Sequence, residues 1–263
     1  MLLKDKVLII SGIGPGLGVK LAIEAAREGA AGLAINARTA AKLDDAEKRV
    51  AEVNPACKVL KQVTDITNRE QCAALAEATA ARFGRIDALV NSAVFHGDMD
   101  YVTTAKLEDW PKVLETNLLG TLKLTQAVVP QMRKQKSGAI VMINTMSARQ
   151  VSPFGEGGYS ASKAALAAST RSLAHEVAKD GVRANTLFIG WMWGAPIQGY
   201  MAWQAKQNHT TVDALKAEVE KGIPLGRMPT DNECARAALF LVSDYASAIT
   251  GAQLDANAGC WMP

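Results

Sequence analysis

Tyr159 and Lys163 stand four residues apart in the run Gly-Gly-Tyr-Ser-Ala-Ser-Lys. In a helix that spacing puts both on one face. A free tyrosine hydroxyl titrates at about 10, so exchanging a proton near neutrality requires a fall of about 2–3 units, roughly 3–4 kcal/mol of phenolate stabilisation. A neighbouring ammonium supplies much of that, and the positive ring of an oxidised nicotinamide can add to it. The other reading is an exposed tyrosine stacked over a lysine stem. Gly12, Gly16 and Gly18, with Leu17 between the last two, follow a short apolar run. Glycines here let the backbone turn tightly and approach a pyrophosphate, while a helix N-terminus directs free N–H groups at the anion. The spacing is Gly-x-x-x-Gly-x-Gly; the third glycine of Gly-x-Gly-x-x-Gly would fall at Leu17. A plain tight strand-to-helix turn is the alternative.

Such groups need a frame, and the apolar pattern supplies one. Runs of strand length at 7–10, 32–35, 59–63, 88–91, 139–143, 183–187 and 253–255 alternate with helical patterns. Helices are expected over 16–28, from a Thr39 cap to 53, from an Asn68 cap to 84, over 107–135 with a break at Pro111, over 157–179 and over 232–242. Strands spaced by helices in this rhythm imply right-handed crossovers. The expected fold is α/β: a doubly wound Rossmann-type parallel sheet of about seven strands, with helices on both faces. It reads as a single dinucleotide-binding catalytic domain over 1–263, with a substrate-covering insertion at about 190–229.

Composition narrows the function. The net charge of +3 carries no clustered basic stripe, only Arg133, Lys134 and Lys136 at a helix end, so a nucleic-acid surface is not expected. Cys57, Cys72, Cys234 and Cys260 show no Cys-x-x-Cys spacing and no histidine at ligand distance, which points to reduced thiols and no metal. No run approaches the roughly 20 apolar residues of a membrane span. The first apolar run is too short for a signal peptide, and a cytoplasmic location is expected.

Taken in order, these residues resemble the short-chain dehydrogenase/reductase family, of the compact single-domain type, over nearly the whole chain. The resemblance rests on Gly12, Gly16 and Gly18, Asp65, Asn91-Ser92-Ala93, Asn117, Tyr159 and Lys163, Ile189-Gly190 and Thr250-Gly251. It implies hydride transfer between a nicotinamide cofactor and a secondary alcohol or ketone. Asp65, with Ile66 beside it, would contact the adenine; Asn91 and Ala93 would lie along the cofactor, as would Ile189. Lys163 would hold the nicotinamide ribose, and Asn117 a water in the proton relay. Asp65 as a helix cap and Asn117 as a satisfied helix residue are the plainer alternatives. The family expects a serine about thirteen residues before the tyrosine. Thr145 lies fourteen before it and Ser147 twelve; alignment of the strand favours Thr145. Enoyl reductases of the superfamily space tyrosine and lysine seven apart, so the spacing of four favours carbonyl chemistry. The chain departs from the family in Asn91-Ser92-Ala93-Val94 for Asn-Asn-Ala-Gly, Ile189 for proline and Ser11 for threonine. A homotetramer is implied, built on the helices at 107–135 and 157–179 and on the apolar C-terminus at 258–263.

Two further expectations concern selectivity. NAD sites of this fold carry an acidic residue at the end of the second strand. Here Arg38 and Thr39 follow Ile35-Asn36-Ala37, with no carboxylate before Asp44. Arg38 can pair with a 2′-phosphate, so NADP(H) is favoured over NAD(H); a solvated Arg38 would leave either cofactor usable. Trp191, Trp193 and Trp203 crowd the segment after Gly190, with Met192, Tyr200 and Met201; Phe95 and His96 follow the fourth strand. Trp191, Trp193 and His96 suit a bulky apolar, steroid-like or aryl substrate. The competing functions are a nucleotide sensor without turnover and an NAD(H)-dependent dehydrogenase of small alcohols.

Overall fold

The computed structural model describes residues 1–152 and 154–262. Its strands are β1 (Val7–Ser11), β2 (Gly32–Ala37), β3 (Lys58–Val63), β4 (Ala88–Asn91), β5 (Gly138–Thr145), β6 (Val182–Ile189) and β7 (Gln253–Ala256). They form one sheet in the order β3-β2-β1-β4-β5-β6-β7, every pairing parallel. Continuous β-branched and aliphatic runs suit strands covered on both faces, and all residues of β1, β2 and β4 are buried.

The helices are α1 (Leu17–Arg27), α2 (Ala40–Val53), α3 (Arg69–Phe83), α4 (Trp110–Leu114), α5 (Thr121–Gln135), α6 (Gly157–Val177), α7 (Ala195–Gln207), α8 (Val212–Lys221) and α9 (Asp231–Val242). Successive strand residues point to opposite faces. Leu8 and Ile10 join the core under α1, α2 and α9, while Ile9 joins the core under α3, α5 and α6. Connections leave the sheet in opposite directions on either side of β1 and β4, which opens a crevice beyond their carboxyl ends. The register brings Ser11 beside both Asn36 and Asn91, and Thr145 beside Ile189.

Several elements differ from the pattern in the sequence. β2, β5 and β6 run past the apolar residues that announce them, because parallel ladders continue through Asn36, Ala37, Asn144 and Thr145. The helix expected over 107–135 is in four pieces: a 3₁₀ turn at Leu107–Asp109, α4, a π-helical turn at Glu115–Gly120, and α5. Pro111 does not break it, since it sits in the first turn of α4, where an N–H has no intrahelical partner to lose. Thr39 occupies the N-cap of α2 without a side-chain cap bond, whereas Asn68 accepts the Gln71 N–H at 2.9 Å. The segment at 190–229 holds α7 and α8 around a small core of Met201, Ile223 and Met228. α9 then starts in a capping box between Thr230 and Glu233. Among the described residues no helix is long and apolar enough to cross a membrane, and no cluster could hold a metal ion. The four cysteines are free, and Pro263 of the apolar C-terminus lies outside the described residues.

Candidate active site

The loop between β1 and α1 opens onto the crevice. The backbone N–H groups of Gly12 and Ile13 donate to the Asn36 carbonyl at 3.1 and 3.0 Å, tying the loop to β2. Gly12 has a φ of +80°, and a Cβ there would lie 2.4 Å from Ala93 N. A Cβ at Gly18 would lie 2.2 Å from the Gly12 carbonyl oxygen, so neither position admits a side chain. Gly14 meets nothing within 4 Å. No side chain caps α1. Val19 N–H donates to the Gly14 carbonyl at 3.3 Å, and no side chain competes for the Leu17 and Gly18 N–H groups ahead of it, which suits an anion such as a pyrophosphate.

The far wall comes from β4, β5 and α6. Asn91 Nδ2 donates to Thr125 Oγ1 at 3.1 Å and to Met142 Sδ at 3.2 Å, bracing β4 against α5 and β5. The Asn91 side-chain oxygen is buried without a partner. Tyr159 and Lys163 are both buried on the same face of α6. The Tyr159 hydroxyl faces Thr145, close enough for that hydroxyl to draw its pKa down. Burial and then the charge of Glu156 outweigh it and raise the phenol well above its ordinary pKa. Lys163 Nζ donates to the Ile143 carbonyl at 2.8 Å, and burial lowers its pKa to about 8. The His96 ring lies 4.4 Å from the Tyr159 ring, tilted by 34°.

Between these walls lies a cleft of about 720 Å³. It gathers Gly12, Gly16, Leu17, Gly18, His96, Thr145, Ser147, Tyr159, Lys163, Ile189 and Trp191 out of the residues singled out by sequence. Trp193 is not brought to it. Its N–H donates to the Pro229 carbonyl at 2.8 Å, and its ring packs in the small core of the 190–229 segment, with Lys216 Nζ 5.4 Å from the ring centre. Tyr200 and Met201 belong to the same core, and Trp203 is 56% exposed. The expectation of a tryptophan-rich lining thus reduces to Trp191, with Phe154 meeting it edge-on at 5.6 Å. Aromatic periodicity cannot distinguish a cleft wall from the private core of an insertion.

Other singled-out residues lie around the cleft. The Asn117 side chain is fully engaged: Oδ1 accepts from Phe95 N at 2.8 Å, while Nδ2 donates to the Phe95 carbonyl at 2.8 Å and to Ser162 Oγ at 3.0 Å. It thereby fixes the loop that carries His96. Asp65 Oδ1 accepts from Thr67 N and Thr67 Oγ1 at 2.9 and 2.8 Å, and these bonds hold its carboxyl below the usual range. Buried Ile66 packs behind it. Arg38 and Thr39 are exposed at the end of β2. Arg38 makes no ion pair among the described residues and is near enough for its charge to act on Asp65.

Three further residues were given no role in the site by the sequence reading. Ser11 Oγ accepts from Ser92 N and Ala93 N at 3.2 and 3.4 Å, joining β1 to the loop after β4. Asn144 is buried, donating Nδ2 to the Lys163 carbonyl at 2.9 Å and accepting Thr145 N at 2.8 Å, so it seats two site residues at once. Glu156 accepts a hydrogen bond from Ser147 Oγ at 3.0 Å. Ser11 and Asn144 each end an apolar strand run with a polar residue, which is the signal that could have found them.

Known proteins share this architecture. A family model described as enoyl-(acyl carrier protein) reductase matches residues 12–260. A 3-oxoacyl-[acyl-carrier-protein] reductase, FabG, of Thermotoga maritima is 34% identical over 259 residues, spanning 98% of this chain and 99% of its own. An L-sorbose reductase of Gluconobacter frateurii, solved with NADPH and L-sorbose, superposes with a TM-score of 0.92 at 28% identity, over 99% of this chain and 98% of its own. Levodione reductase gives a TM-score of 0.90 at 28% identity, with 98% of each chain covered. The match over almost the whole chain, joined to a seven-stranded parallel sheet and a glycine-loop crevice, makes the assignment: this chain belongs to the short-chain dehydrogenase/reductase family, oxidoreductases that act on CH–OH and C=O groups with a nicotinamide cofactor.

Proposed function

We propose that this chain reduces ring-sized ketones at the expense of NADPH, with Tyr159 as proton donor. The observation that carries the reading is the Tyr159 hydroxyl, facing Thr145 at the base of a cleft whose other end is the uncapped start of α1. When bound, the reduced nicotinamide supplies the hydride. Gly14 and the first turn of α1 would hold the pyrophosphate, Lys163 the ribose, Arg38 and Thr39 the 2′-phosphate, with Asp65 and Ile66 toward the adenine. Tyr159 gives its phenolic proton to the carbonyl oxygen, and Thr145 donates a hydrogen bond to the same oxygen. Ser147 is turned toward Glu156, which supports Thr145 over Ser147 as that donor. Burial holds the phenol protonated at neutral pH, and the fall that brings its proton into play would come from the nearby Lys163 ammonium. Asn117 would act through its backbone carbonyl on any relay water, its side chain being occupied. The spacing of four between Tyr159 and Lys163 supports carbonyl over enoyl reduction.

The walls set substrate size. Val94, Met146, Phe154, Trp191, Met192 and Ile197 line the cleft and can bury a ring. In NADPH oxidation assays, cyclohexanone is expected to exceed acetone in kcat/KM by at least ~10-fold, the scale of burying a few more methylenes. Equal efficiency on both would contradict the reading.

The pH profile follows from Lys163. Burial lowers its pKa from 10.5 to about 8, so the ammonium is present below that pH and lost above it. Since kcat/KM reports the free enzyme, its value for reduction is expected to hold between about pH 6 and 7.5 and to fall above about 8. A profile still flat at pH 10 would contradict a role for the Lys163 charge.

A further inference from the structure

Glu156 stands three residues before Tyr159, at the N-cap of α6. A carboxylate there ordinarily accepts from the N–H groups of the first turn. This one makes no side-chain cap bond. It turns into the cleft, half-buried, and accepts the Ser147 hydroxyl at 3.0 Å. Ser147 Oγ accepts in turn from Thr145 Oγ1 at 3.3 Å. Glu156 therefore sits two hydrogen bonds from the hydroxyl that faces Tyr159.

The surroundings leave that charge unbalanced. Among the described residues Glu156 forms no ion pair. Lys163 is turned to the Ile143 carbonyl, and burial holds His96 toward its neutral form. Glu218, the other carboxylate lining the cleft, already meets Lys221 at 2.5 Å. The rings of Phe154 and Trp191, which line the same cleft, have electron-rich faces that attract a cation. A half-buried carboxylate beside a reacting carbonyl, walled by aromatics, is complementary to a positive charge on the substrate.

We propose that the preferred substrate is a ring ketone bearing a protonated amine, and that Glu156 binds its ammonium. The proposal rests on the carbonyl-reductase reading above and adds the chemistry of the substrate's far side. Phe154 and Trp191 cover the ring, while Thr145 and Tyr159 hold the carbonyl oxygen.

The test compares 1-methyl-4-piperidone with its carbocyclic isostere 4-methylcyclohexanone and with 4-hydroxycyclohexanone, at pH 7 with NADPH. The wild type should prefer the amine by at least ~10-fold in kcat/KM over both, the scale of a hydrogen bond to a charged group. Glu156→Gln should bring the amine-to-carbocycle ratio close to one, through KM rather than kcat. Turnover of all three ketones with equal efficiency would overturn the amine preference and leave the carbonyl reading standing. Preference for the hydroxyl ketone would likewise overturn it, pointing to polyol substrates. If none of the three is reduced, the carbonyl reading fails for ring ketones, and calorimetric titration with 1-methylpiperidine and methylcyclohexane decides the amine site. Saturable binding of the amine alone, lost in Glu156→Gln, supports it; no amine binding overturns it.

Discussion

Tyr159→Phe is expected to lower turnover by at least ~100-fold, the scale of losing a general acid, while cofactor affinity stays within about twofold. Phenylalanine fills the same buried volume beneath His96 and loses only the hydroxyl that faces Thr145. Binding should therefore survive, and the proton should be missing at the carbonyl oxygen. Lys163→Ala is different in kind: it removes both a charge and the bond to the Ile143 carbonyl, so binding and turnover should fall together. Thr145→Val should cost more turnover than Ser147→Ala, because Thr145 faces the phenol hydroxyl whereas Ser147 is committed to Glu156. Steady-state kinetics and fluorescence titration of NADPH check all four variants. Near-normal turnover by Tyr159→Phe would remove the proton donor from the mechanism.

Arg38→Ala is expected to raise the KM for NADPH by at least ~30-fold and to change that for NADH little, since a guanidinium–phosphate contact is charge-assisted and has no counterpart in NADH. The guanidinium is exposed at the carboxyl end of β2 and makes no ion pair among the described residues, so no internal partner competes for the phosphate. Its charge already acts on Asp65. A wild-type kcat/KM clearly higher with NADH would reverse the assignment.

The frame was legible because its physics is periodic. Apolar runs of strand length, alternating with helical patterns, leave few ways to build a parallel sheet. Gly12 and Gly18 were legible too, since both approach other backbone too closely for a side chain. What the pattern could not convey is where a side chain turns at the end of its element. Trp193 and Trp191 are two residues apart in one aromatic run, yet one lines the cleft and the other packs against Lys216. Asn117 looked available for a water, but a backbone partner 22 residues away takes both ends of its amide. Nothing in the residue types singles out Glu156; the absence of a cap bond and the bond from Ser147 give it a place in the site. The π-helical turn at Glu115–Gly120 left no trace in residue types; its closeness to the β3–α3 loop, where a Cβ on Gly120 would lie 3.1 Å from the Ile66 carbonyl oxygen, emerges only in three dimensions.

Hydride transfer itself is the central claim, and isotope transfer tests it most directly. NADPH deuterated at the reactive C4 position, incubated with this enzyme and a ring ketone, should yield an alcohol with one deuterium on the carbinol carbon, read by mass spectrometry and NMR. With Tyr159→Phe the amount of labelled alcohol formed over the same interval should fall by at least ~100-fold. Tight binding of NADPH with no deuterium reaching any ketone would contradict the account and leave a nucleotide-binding protein without turnover.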